Sequence, residues 1–165
     1  MTPKIASLWK TIEREGIEVV YLPLRRTPER LKGVYLRDHG LPIILLDDQM
    51  GQVEHDCTLA HEVGHHFTTS GANILVARDY TGTIAVNRDE YRAIIWATNH
   101  MMPDAEVAAT LRQATNILEL ADFFGVTPSF AIDKLRIFRH KLRTGGVKIR
   151  KFRHLLNPDL WEGWI

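Results

Sequence analysis

Thr58-Leu59-Ala60-His61-Glu62-Val63-Gly64-His65-His66 decides how this chain is read. The stretch contains His-Glu-x-x-His within a helix-compatible run, and the pattern predicts one long helix from Val53 to about Thr69. On a helix His61 and His65 lie four residues apart, so their imidazoles stand one above the other on the same face. Two neutral imidazoles at that separation can bind one Zn²⁺ at about 2.0–2.1 Å each. Glu62 lies about 100° further round, off the ligand line but within reach of a water at the metal, where a general base belongs. A chance match of this motif is expected in about 0.02 of shuffled chains of this composition. Gly64 lets another segment approach the helix closely near the metal.

A catalytic zinc takes three protein ligands and keeps a fourth position open, so one ligand must come from elsewhere. The next predicted helix, Asn87–Met101 before Pro103, offers Asp89, Glu90 and His100. Glu90, Ala93 and Ala97 share one stripe, and the two small alanines would let this helix lie close against the histidine helix. Asp89 lies off that stripe. A solvated carboxylate favoured by the helix macrodipole is the competing reading of Glu90. Cys57, one turn before His61, reads as a small buried hydrophobe rather than a ligand.

Around this pair of helices the chain predicts an α+β layout. Ile5, Leu8, Trp9 and Ile12 predict an amphipathic helix ending near Gly16. Ile17–Leu22 reads as a strand, and Gly33–Arg37 and Pro42–Leu46 as a hairpin about Asp38-His39-Gly40. We expect a small antiparallel sheet packed on the histidine helix. Gly71–Val86 reads as a loop with one or two strands (ANILVA, TGTIAV), and a helix runs from Pro103-Asp104 through Ala114. Asn116–Phe124 and Ser129–Leu142 form a helix pair with Thr127 as N-cap and Pro128 in the first turn. The expected organisation is one domain over 1–143, with a helix-turn-helix-like unit at 116–143, and a basic, aromatic tail over 144–165.

The net charge of +1 hides an asymmetry. Residues 1–133 hold 12 Lys/Arg and 18 Asp/Glu, whereas residues 134–165 hold 9 and 2. The single cysteine excludes an internal disulfide and any multi-cysteine metal site. No apolar run approaches the roughly 18 residues of a membrane span. Charges interrupt the apolar residues of MTPKIASLWKTIERE too early for a secretory signal, so the expected location is cytoplasmic. Leu155, Leu156, Leu160, Trp161 and Trp164 make the tail apolar enough to dock on the body or on another subunit.

LAHEVGHH (59–66), Glu90-x-x-Ala93-x-x-Trp96-Ala97 and Met101-Met102-Pro103 together resemble the ImmA/IrrE family of zinc metallopeptidases. Trp96 stands where the family usually has Phe, Ile94 where Asn is common, and His100 where an aliphatic residue is usual. The likeness extends back to GVYLRDHGLPIILLDD and forward to LADFFGVTPSFAIDKL, covering most of residues 30–140. It implies a zincin-like, gluzincin-like fold with a C-terminal helical unit. It implies His61, His65 and Glu90 as zinc ligands and Glu62 as catalytic base. It further implies a protein substrate such as a helix-turn-helix repressor of a mobile element or stress response.

The expected function is therefore a zinc-dependent endopeptidase, with His66, Tyr91 and His100 as candidate transition-state or substrate contacts. The rival is a DNA-binding or repressor-binding regulator with a non-catalytic metal site. It rests on the Gly125 turn, the capped second helix, and a basic surface of Lys134, Arg136, Arg139, Lys141 and Arg143 continued by Lys148, Arg150, Lys151 and Arg153. A helix pair packing Ala131, Leu135, Phe138 and Leu142 into the core, with the basic residues solvated, is the preferred reading of that segment.

Overall fold

The computed structural model describes residues 1–26, 30–69, 80–114 and 116–145, with the backbone alone over 80–87. The expected ANILVA strand and the apolar tail lie outside the described residues. Two compact units form, Met1–Ala97 and Thr98–Ile165. Among the described residues no helix is long and apolar enough to cross a membrane.

The first unit opens with α1 (Pro3–Glu15), capped by the Thr2 hydroxyl, which accepts from the Ile5 N–H, and closed at Gly16. Its apolar stripe buries Ile5, Leu8 and Ile12, as the helical spacing predicts. Strands β1 (Glu18–Leu22), β2 (Gly33–Asp38) and β3 (Leu41–Asp47) make a sheet of order β1-β3-β2. β2 and β3 form the expected hairpin, and His39 and Gly40 take φ of 47° and 89° in its two-residue turn.

β1 instead pairs parallel with β3, from Glu18↔Ile43 to Leu22↔Asp47, so the sheet is mixed rather than antiparallel throughout. The tight turn dictates the hairpin's direction. The direction of β1 depends on the longer connection after Leu22, which no local pattern fixes. Asp47 closes the strand end as a buried carboxylate that accepts from the N–H groups of Arg25 (2.7 Å) and Gln49 (3.1 Å).

The sheet packs on α2 (Gln52–Thr68) through β2 and β3. Leu59, Ala60 and Val63 of α2 are fully buried, with Ile44 and Leu46 of β3. α3 (Tyr80–Met101) begins seven residues earlier than the sequence suggests. Thr81–Val86, expected as a strand for its Thr, Ile and Val content, is the start of this helix. Its weak local preference gives way to continuation of a long helix.

The second unit contains α4 (Asp104–Thr110), α5 (Ile117–Phe124) and α6 (Pro128–Arg143). α4 stops four residues short of the expected Ala114. The Asn116 and Thr127 side chains cap α5 and α6, accepting from the N–H groups of Glu119 (3.0 Å) and Phe130 (3.3 Å). Ala131, Leu135, Phe138 and Leu142 of α6 are fully buried, as expected of the helix pair's apolar face. Lys134 is buried with them. Its ammonium donates to Asn99 (2.8 Å) and Asp104 (2.6 Å), and Lys141 donates to the same two side chains at 2.9 Å each. Burial works against the Asp104 carboxylate, yet the two ammonium groups hold its pKa below the ordinary value.

Candidate metal centre

α2 carries His61 and His65 one turn apart, with ring centroids 4.7 Å from each other and Nε2 atoms 3.1 Å apart. The Glu90 carboxylate, on α3, reaches both rings. Its Oε2 lies 3.2 Å from His61 Nε2 and its Oε1 lies 3.2 Å from His65 Nε2. The two imidazoles hold the Glu90 pKa well below the usual carboxylate range, first through these hydrogen-bonding contacts. His65 is buried, and its Nδ1 lies 3.1 Å from Thr69 Oγ1. A proton on Nδ1 donated to that hydroxyl leaves Nε2 as the lone-pair atom facing Glu90 and His61.

The donor set fits a small divalent cation. Three donors around a tetrahedral zinc sit about 3.3 Å from each other, given metal–ligand distances near 2.05 Å. The two imidazole nitrogens, 3.1 Å apart, are close to that spacing, and each has one Glu90 oxygen at 3.2 Å. Among the described residues, this is the group of three or more His, Cys, Asp or Glu whose ligand atoms converge so. Cys57 is buried and outside it.

The sequence shows locally why Glu90 arrives. α3 lies so close on α2 at Gly64 that an added Cβ there would stand 2.6 Å from the Ala93 carbonyl oxygen. Ala93 and Ala97 are fully buried on that face, as their spacing predicts. Gly64→Ala is therefore expected to cost about 1–3 kcal/mol, because the contact is with backbone that cannot rotate away. It should also weaken zinc binding by moving Glu90, one turn from Ala93. Thermal melts and a zinc titration against a competing chelator check both effects, and unchanged values would contradict this account of the helix contact.

Glu62 points from the same turn of α2 toward β2 and is buried. The Tyr35 backbone N–H donates to its carboxylate. Burial is the largest influence and pushes the Glu62 pKa up to about 7, while His61 draws it down and Glu90 draws it up. β2 touches this side chain directly, since a Cβ on Gly33 would lie 2.9 Å from Glu62 Oε1 and 2.7 Å from Thr58 Cγ2. Sequence reasoning missed both Gly33 and the Tyr35 N–H. A glycine at a strand start is the only trace that either leaves in the residue pattern.

The remaining candidates have distinct surroundings. His66 Nδ1 lies 3.1 Å from Tyr35 Oη, and its Nε2 faces Glu15 at 3.7 Å. Burial and then Arg37 lower its pKa. Tyr91 follows Glu90 on α3 and is half exposed. His100 lies in the last turn of α3 and belongs to the second unit. The structure thus gathers His61, His65 and Glu90, with Glu62 alongside, and engages His66 with Tyr35 and Glu15.

The profile of a peptidase family described as the IrrE N-terminal-like domain matches residues 12–136. No curated protein matches the chain significantly.

Proposed function

The chain belongs to the IrrE N-terminal-like peptidase family, and from that premise we propose that it is a zinc-dependent endopeptidase cutting a regulatory protein. The observation that carries the reading is the convergence of His61, His65 and Glu90 on one point, with the buried Glu62 carboxylate beside it. His61, His65 and Glu90 would hold the ion. Zinc in such a site supplies Lewis acidity and brings the pKa of water down to about 7.

Glu62 takes the proton from the attacking water and passes it to the leaving amine. Its low exposure keeps bulk water from competing for that proton, and the Tyr35 N–H holds the carboxylate. Among the described residues β2 is an edge strand. In a two-residue hairpin closed by Asp38↔Leu41, the groups of Leu36 and Val34 face β3, whereas those of Gly33, Tyr35 and Arg37 face outward. An extended peptide added along this edge would run past Glu62, with main-chain hydrogen bonds to the outward groups other than the Tyr35 N–H, which Glu62 takes, giving affinity independent of side-chain identity.

Gly33 acts here as a positioning residue. Gly33→Ala is expected to lower kcat at least tenfold, by displacing the Glu62 carboxylate, while the chain still holds one zinc. Metal analysis beside single-turnover cleavage checks this, and an unchanged kcat would sever Gly33 from the base.

The family resemblance makes a helix-turn-helix repressor the proposed substrate, and a cytoplasmic location goes with it. The test mixes the purified chain with the repressor encoded beside its gene, with and without chelator. Zinc-dependent fragments favour the peptidase. A stable complex without fragments in either arm would favour the repressor-binding alternative.

A further inference from the structure

α6 sorts its cations by direction. Lys134 and Lys141 turn toward Asn99 and Asp104. Arg136, Arg139, His140 and Arg143 share the other side at i, i+3, i+4 and i+7 and together line a cleft of about 350 Å³. Arg136, His140 and Arg143 are exposed and Arg139 is half-buried. The stripe runs about 10 Å along the helix. Asp133 pairs with Arg136 at 3.7 Å, an exposed contact of little strength.

We propose that this arginine stripe contacts the sugar-phosphate backbone of a nucleic acid duplex, without reading its bases. Three observations favour a polyphosphate over an acidic protein. The described lining of the cleft, Arg136, Arg139, His140 and Arg143, is wholly basic. Its cations are chiefly guanidinium groups, whose planar fork matches phosphate oxygens. They form a linear array, and duplex phosphates recur about every 3.4 Å of axis per strand, so a 10 Å stripe faces about three of them. The inward turn of Lys134 and Lys141 removes two cations from the outer face and leaves a row suited to the backbone rather than a helix laid into the groove to read base edges. The excess of nine Lys/Arg over two Asp/Glu after residue 133 adds long-range attraction. This contact is independent of the peptidase reading, because none of its residues belongs to the metal centre.

The test is fluorescence anisotropy of labelled duplexes of about 20 bp with the full chain, zinc-loaded and chelated, between about 50 and 200 mM KCl. The expected result is binding that falls steeply with salt, equal for two unrelated sequences and equal with or without zinc. The double variant Arg136→Ala, Arg143→Ala should weaken binding at least tenfold and reduce the log–log salt slope by about two. Arg136→Lys, Arg143→Lys should restore most of the affinity, which separates lost charge from lost folding. Lys10→Ala, at an exposed position of α1, should change nothing. No binding at the lowest salt, or unchanged affinity and slope in the alanine variant, would overturn the proposal. So would a preference above tenfold for one sequence. Poly-glutamate displacing the duplex at equal charge would assign the stripe to an acidic protein. Saturation by one pyrophosphate would assign it to a small anion.

Discussion

Glu62→Gln is expected to abolish peptide cleavage and leave zinc bound. Glutamine keeps the shape of the side chain and an oxygen for the Tyr35 N–H, so β2 stays in place against α2. It removes the one feature the reaction needs, a carboxylate that accepts a proton. General acid–base groups contribute about 10²–10⁴-fold, and on the proposed mechanism this one serves both proton transfers, so the expected loss falls at the upper end of that range. Burial raises the Glu62 pKa to about 7, which favours proton uptake. A nearby dication shifts it back toward the carboxylate form. Zinc analysis and a cleavage assay on the same preparation check both halves of the expectation. Cleavage within tenfold of the parent would remove Glu62 from the base role.

Glu90→Ala has the other large effect, on the metal itself. It deletes the only anionic donor of the set and leaves a buried His65 facing His61 without its carboxylate partner. The fall in zinc affinity should exceed the about 10–100-fold typical of losing an outer partner of a ligand. Metal content after dialysis should drop from one zinc per chain to a small fraction. Glu62→Gln, tested alongside, should remain fully loaded. Unchanged stoichiometry in Glu90→Ala would place the third ligand elsewhere.

The residues that made the centre legible in the sequence are those whose roles depend on spacing along one helix. His61 and His65 must share a face at a separation of four. Gly64 opposite Ala93 and Ala97 is the pattern of two helices in close contact, and it distinguishes Glu90 from Asp89, which lies off the stripe. The capped pair α5–α6 was equally readable, because Thr127, Pro128 and the buried apolar stripe obey local rules.

What the sequence hid depends on tertiary partners. Tyr35 contributes a backbone N–H, which carries no residue signature, and its outward direction follows from a register set by the hairpin turn. Gly33 matters only because α2 crosses beneath it. The parallel pairing of β1 is decided by a connection rather than by the strand. Lys134 read as part of a solvated basic face, yet its neighbours Ala131, Leu135 and Phe138 are core residues, and Asp104 and Asn99 supply the partners that let it join them. The early start of α3 ran against the β-branched content of Thr81–Val86, a weak preference overruled by the helix that follows.

The measurement closest to the centre of this account is X-ray absorption at the zinc edge on the zinc-loaded chain, paired with its metal stoichiometry. One zinc per chain, bound by two imidazole nitrogens and light oxygen donors at about 2.0–2.1 Å, is the predicted result. Substoichiometric zinc, or a sulfur shell near 2.3 Å that would bring Cys57 into the coordination sphere, would contradict it.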